Sequence, residues 1–319
     1  MSRSIIITES QLKLLIEDCV DKNTLNECTI AAVRLDDGIV LAKNRDRGYK
    51  AKMEVVHEIV DDVEIVYWRD IDTDWSEGMN EYGFGIVNSS LLVRQDEKES
   101  DKIQKKQEKE SLDATEKKVN ATDGMKVRKA LTYKKMRDII KSVISYDAGD
   151  KKKVGVKGET FVASPRNIYV IEMTSKDSPV IHKFDKNEKV DVRTNHGISH
   201  KQAGYTHGIK KKSSYMRMNY AKKHLKDVKT GQEVIDRMKE QYDKNKFFNP
   251  YRLKNQYNMS TVGQIMMNLE KKEITIRMDN EMGKFEGIDN RLPKGYTPKI
   301  KIKIEGEKTH GDNGKKLPT

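Results

Sequence analysis

CTIAAVRLDDGIVLAKNRD, residues 28–46, decides how the rest of the chain is read. Two aliphatic and β-branched runs flank Asp36-Asp37-Gly38, a turn signal, so the stretch predicts an antiparallel hairpin that opens on Cys28. Directly upstream, DKNTLNE (residues 21–27) is a polar connection. Before it, Ile5, Ile6, Leu12, Leu14, Leu15 and Val20 follow helical spacing behind Thr8 and Glu9, which predicts a short amphipathic helix within Ser4–Val20. A cysteine placed first in a strand after a polar linker is informative. If the bond before it were cut, one residue would supply a thiol nucleophile and an α-amino group of pKa about 8 to take its proton. Taken alone, the same cysteine reads more readily as an apolar residue beginning a core strand than as a nucleophile.

Downstream, MEVVHEIV, VEIVYWRDI and GFGIVNSSLLV extend the strand character. Arg94 to Gly124 is almost without large apolar residues and rich in Lys, Glu, Gln and Asp, a charged insertion that is either a solvated helix or a disordered loop. Val127, Leu131, Met136, Ile139, Ile140, Val143 and Ile144 then predict a helix over Met125–Tyr146. GETFVAS and NIYVIEM, joined at Pro165-Arg166, predict two strands, and VIHKFD and KVDVRTN continue them. A second helical region spans Ser213 to Tyr242, and STVGQIMMNLEKKEITIRM reads as a hairpin. The tail from 296 to 319 is Lys- and Gly-rich, with KIKIKIEG an edge-strand candidate. Strands grouped around helices predict an α+β layered fold, whereas no Gly-rich loop after a strand supports a doubly wound nucleotide-binding sheet.

The chain of 319 residues is 35% hydrophobic and 35% charged, with a net charge of +12. No apolar run approaches the roughly 20 residues that cross a bilayer, so no membrane association is expected. Two cysteines, Cys19 and Cys28, exclude a disulfide framework and suit the cytoplasm. Lysine is dispersed rather than clustered with aromatics, so the charge serves solubility more than nucleic-acid binding. His196, His200 and His207 lack companions at metal-ligand spacing, and no metal or cofactor is expected.

With these residues in hand, the chain resembles the cysteine N-terminal-nucleophile (Ntn) hydrolases of the choloylglycine hydrolase, penicillin V acylase and acyl-coenzyme A:isopenicillin N acyltransferase-like group. Cys28-Thr29 followed by Lys43-Asn44-Arg45-Asp46 looks like that group's opening cysteine and its R-N-x-D. LAKNRDRGY also resembles the related family known for an Asn-Arg-Asp-Glu motif. Gly78-Met79-Asn80-Glu81-Tyr82-Gly83 is similar to its G-M-N-E-x-G turn, and the next strand ends at Asn88-Ser89-Ser90. Thr194-Asn195-His196, Ser213-Ser214-Tyr215-Met216-Arg217 and the closing hairpin follow in order. The resemblance implies a four-layer αββα fold on two antiparallel sheets, with a leader at 1–27, the Ntn hydrolase domain at 28–295 and the insertion at 94–124.

It also implies roles. Cys28 would be nucleophile and base, and Asp46 would orient and tune its α-amine. Asn195 would offer its side-chain N–H to the oxyanion, with Asn88, or Ser90 if the register differs by two, as second donor. Arg217 would stabilise the thiolate or bind carboxylates around it, and Lys43, Asn80 and Ser90 would line the substrate. Lys43 departs from the arginine of the bile-salt-type pattern.

The substrate implied is a small-molecule acyl amide with a linear, non-peptide C–N bond, cleaved through a Cys28 acyl-thioester that passes to water or to another amine. Homo-oligomers are common in the group. The Glu27–Cys28 bond must break first, by attack of the Cys28 thiol on the preceding carbonyl or by a separate protease. Leu25-Asn26-Glu27 resembles the L-x-E site of phage prohead proteases, and IIITESQLKLLIE resembles leaders of tailed-phage proteins, which would place the enzyme in a virion. The competing reading is a catalytically inactive basic protein of the same fold, associated with a virion or with nucleic acid.

Overall fold

The computed structural model describes residues 26–91, 122–147, 152–174, 177–254, 259–279 and 281–306. The leader helix expected within Ser4–Val20, with Cys19, the charged insertion from Arg94 to residue 121 and the tail beyond residue 306 lie outside the described residues.

Strand β1 (Asn26–Leu35) turns through Asp36-Asp37 into β2 (Gly38–Arg47) as the hairpin spacing predicts. β2 pairs with β13 (Ser260–Asn268), which pairs with β14 (Glu273–Met278), and β12 (Val190–Arg193) flanks β1. With β16 (Lys301–Gly306) these make a six-stranded sheet. The second large sheet has eight strands. It runs β11 (Val180–Lys183), β10 (Ile168–Met173), β9 (Gly158–Ala163), β6 (Gly85–Ser89), β5 (Ser76–Asn80), β4 (Val63–Asp70), β3 (Ala51–Val60) and β15 (Gly283–Asn290). A short ribbon joins β7 (Ser145–Asp147) to β8 (Lys152–Val154).

Alternation along the strands divides the core. Ile30, Ala32, Ile39 and Leu41 meet Val55, Trp68, Met79 and Phe161 between the large sheets. Their neighbours Ala31, Val33, Val40 and Ala42 point the other way, onto Ala221, Leu225, Val234 and Ile235 of helices α3 (Gly208–His224) and α4 (Gly231–Lys239) and the turn between them. On the second sheet Val56, Ile65 and Ile86 meet Val127, Leu131, Ile139 and Val143 of α1 (Asp123–Leu131) and α2 (Met136–Ile144). A buried aliphatic side chain contributes about 1.5–3 kcal/mol, so slipping β1 by one residue would exchange both of its faces at prohibitive cost.

Three expectations are corrected. The sheets are mixed rather than antiparallel, because β16 lies parallel to β14 and β15 parallel to β3. The helix expected over Met125–Tyr146 is two, and it ends at Ile144. Thr132 closes the first, its hydroxyl donating to the Lys129 carbonyl, and Lys135 in extended conformation starts the second. The region from Ser213 to Tyr242 is likewise divided: α3 starts earlier, at Gly208, and Thr230 caps α4 by accepting the Glu233 N–H.

Candidate active site

Cys28 is the third residue of β1 and is 3% exposed. Across the ladder it faces Arg45, while Glu27 faces Asp46 and Thr29 faces Asn44. Cross-strand partners share a face of the sheet. Cys28 therefore projects between the two sheets with Lys43, Arg45 and Arg47, and Glu27, Thr29 and Asp46 project towards α3.

On the inter-sheet side, Glu77 of β5 bonds both Lys43 and Arg45. Arg47 donates from Nε to Asp70 Oδ2 at 2.8 Å. Three buried cations thus face two buried carboxylates on the side of β1 to which Cys28 projects. Burial pushes the Lys43 ammonium below its ordinary range, while Cys28 and Glu77 pull the other way. The Arg45 guanidinium lies over Trp68, 4.6 Å from the ring centroid, and this packing keeps the cluster from water.

On the helix side, the backbone of Cys28 is held at both ends. Its N–H donates to Asn195 Oδ1 at 3.1 Å, and its carbonyl accepts from Arg217 Nη1 at 2.8 Å and, more weakly, from Ser89 Oγ at 3.5 Å. Both groups point away from β2, so by the alternation of an antiparallel ladder the Glu27 carbonyl is turned towards Asp46. Arg217 Nη2 donates to Asn195 Oδ1 at 2.8 Å and to Glu27 Oε2 at 2.9 Å. Arg252 Nη2 lies 2.6 Å from the same Glu27 oxygen, and Tyr205 donates to Oε1 at 2.8 Å. Asp46 accepts from Thr261 Oγ1 at 2.6 Å, with Arg252 at 3.7 Å and Arg217 at 3.9 Å from its other oxygen.

The two carboxylates respond differently to the same arginines. Burial alone would lift Glu27, but Arg252 and Arg217 with the Tyr205 hydroxyl hold it below its ordinary value. Burial lifts Asp46 and wins, because the guanidinium groups stand farther from it. Arg217 is itself lowered to about 10 by burial and by Arg252 beside it.

Helix α3 explains Ser213-Ser214-x-x-Arg217. Ser213, Arg217 and Ala221 share the buried face at four-residue spacing. Ser214 Oγ accepts the Asn195 N–H at 2.9 Å and meets Thr194 Oγ1 at 2.8 Å, which fixes the loop carrying Asn195. Ser213 Oγ receives Arg252 Nη2 at 2.7 Å.

Of the residues expected in the site, Cys28, Glu27, Asp46, Asn195, Arg217 and Lys43 come together. Asn195 presents Oδ1 to Cys28, while its Nδ2 donates to Ser89 Oγ at 3.2 Å and the Ser90 carbonyl at 3.0 Å. Ser90 thus enters through its backbone. Asn88 donates to Thr160 Oγ1 and the Lys157 carbonyl, away from Cys28. Asn80 closes the β5–β6 turn, accepting from Tyr82 and Phe84 N–H groups and donating to the Leu131 and Tyr133 carbonyls. In the same turn Gly83 has φ +73°, and a Cβ there would meet the Leu269 carbonyl at 2.4 Å, so this motif builds a turn.

Tyr205, Arg252, Thr261, Ser89 and Glu77 were not anticipated from sequence. Arg45 and Arg47 had a signal, since with Lys43 they alternate at strand spacing. Thr261 emerges only through its pairing with Asp46.

Among the described residues, no helix is long and apolar enough to cross a membrane. No family model matches the chain, and no curated protein matches it in sequence. Among solved structures it is similar to penicillin V acylase from Agrobacterium tumefaciens, with a TM-score of 0.41 and 9% identity over 80% of this chain and 86% of that one.

Proposed function

We propose that this chain is the precursor of a cysteine Ntn amidohydrolase with a four-layer αββα fold, which loses residues 1–27 and uses the exposed α-amine and thiol of Cys28 on a linear C–N amide. One observation carries the reading. The backbone nitrogen of Cys28, the atom that would become the amine, is bonded to Asn195 in a buried pocket that also holds Asp46, Arg217 and Arg252. A cysteine that served only as core filler would have no need of two arginines and two carboxylates about its backbone, because buried charges are costly unless used or fully paired.

In processing, Sγ attacks the Glu27 carbonyl carbon, the C–N bond breaks, and the Cys28 nitrogen takes the thiol proton. Water then splits the thioester, releasing the leader as an acid. Turnover repeats the acylation on substrate. Lys43, Arg45 and Arg47 line the side of the strand on which the sulfur projects, and Asn195 Oδ1 holds the nitrogen that becomes the amine, with Asp46 beside Arg217 and Arg252 in the same pocket. Self-cleavage fits the burial of the scissile bond within a paired strand better than a second protease, which would require β1 to peel away.

Intact mass of the purified chain tests this. Wild type should lose residues 1–27 and Cys28→Ala should keep them. A wild-type chain that stays full length after prolonged incubation, with a thiol inert to iodoacetamide, refutes it.

A further inference from the structure

The charges on the helix side of β1 balance only while Glu27 is in place. Arg217 and Arg252 converge on Glu27 Oε2 at 2.9 and 2.6 Å, and Tyr205 on Oε1 at 2.8 Å. Asp46 is the second carboxylate, so two cations meet two anions. Loss of the leader removes one of those anions and adds an amine. Arg217, Arg252 and the amine then face Asp46 alone, in a pocket whose donors are all buried. Donors are in surplus even before that loss. Arg217 Nε and Arg252 Nε and Nη1 are buried with no hydrogen-bond acceptor among the described residues. Buried guanidinium groups in this number call for an anion.

We propose that the place vacated by Glu27 is a carboxylate subsite of the mature enzyme, and that its substrates are glutaryl or α-glutamyl amides. The substrate class rests on the reading of Cys28 as a nucleophile freed by loss of the leader. On that reading the leader is the first acyl group carried by Cys28: Sγ bonds to the Glu27 carbonyl carbon, the Cys28 nitrogen leaves with the thiol proton, and water releases the acid. A substrate acyl group passes through the same bonds. The carboxylate of a glutaryl group stands as far from its carbonyl carbon as that of Glu27 does, so it can meet the same three donors. Tyr205 and Arg252 are then specificity residues, and a neutral acyl chain would leave two guanidinium groups unpaired.

Two experiments separate the subsite from the chemistry. In the full-length Cys28→Ala chain, Glu27→Gly should lower the melting temperature, and 100 mM propionate should restore about 3–5 °C of it while propionamide restores none. Adding Arg252→Gln should abolish the propionate effect, and equal shifts from propionate and propionamide overturn the subsite. If Glu27→Gly does not fold, the processed wild-type enzyme decides. It should cleave glutaryl-4-nitroanilide with kcat/KM about 10²–10⁴ above the analogue whose terminal carboxylate is an amide. Equal rates on the two refute the subsite and leave the nucleophile reading standing. No processing and no thiol-dependent cleavage of either anilide refutes the nucleophile reading, and the substrate class with it.

Discussion

Asp46→Asn is the substitution that most directly probes the charge arrangement around Cys28. Asp46 stands 3.7 Å from Arg252 and 3.9 Å from Arg217 and is wholly buried. At an effective dielectric of about 20 each separation corresponds to about 4 kcal/mol of attraction. Desolvation of the carboxylate and the competing pull of Glu27 offset part of that sum. Removing one partner of a buried pair costs about 3–5 kcal/mol, and this is the expected loss. The amide keeps the shape and can still accept from Thr261, so packing changes little. The assay is urea unfolding of the full-length chain in a Cys28→Ala background, which keeps the leader attached, for Asp46→Asn, Arg252→Gln and the double variant. A coupling of at least about 2 kcal/mol should appear between the two sites. Single losses that add to within about 0.5 kcal/mol would show that Asp46 is held by Thr261 alone and has no electrostatic part in the site.

Between the sheets, Glu77→Gln leaves Lys43 and Arg45 without their shared carboxylate and should cost about 3–5 kcal/mol in urea unfolding. A loss below about 1 kcal/mol would mean that Asp70 takes over its role. Glu159 supplies a pH dependence. Burial lifts its carboxyl well above the ordinary value, Arg193 opposes, and Glu172 and Asp191 lift it further. The folded chain therefore keeps a proton that the unfolded chain loses above about pH 4.5, so stability falls as pH rises from there to the folded value, by up to about 1.4 kcal/mol per unit. Glu159→Gln should flatten that slope in urea midpoints measured from roughly pH 5 to 8. A variant with the wild-type slope would place the proton on another group.

Much of this was legible from residues alone. The alternation of CTIAAVRL and IVLAKN placed β1 and β2 in register, and the order of short motifs brought Asp46, Asn195 and Arg217 to Cys28. The parallel edges were not legible, since β15 meets β3 and β16 meets β14 across long stretches of chain that carry no local pairing signal. Nor were Tyr205 and Arg252, which sit in irregular segments where no periodicity assigns a direction to a side chain. Asn80 holds the β5–β6 turn, a role that asks for the same residue as a substrate contact would. The breaks at Thr132 and Thr230 were hidden by apolar spacing that runs on through both, and only the hydrogen bonds of those threonines reveal them.

The pleat of β1 sets the side chain and the backbone of Cys28 in different surroundings. Its sulfur looks into the gap walled by Lys43, Arg45 and Arg47, whereas its nitrogen sits in the plane of the sheet beside Asn195, with Asp46 and the two arginines beneath the helices. A strand is thin, but each side has its own counter-ions and its own packing against water. A substitution on one side therefore leaves the ion pairs of the other in place: Glu77→Gln disturbs Lys43 and Arg45 between the sheets while Arg217 and Arg252 keep Glu27 on the helix side, so the two sets of buried charges can be altered one at a time.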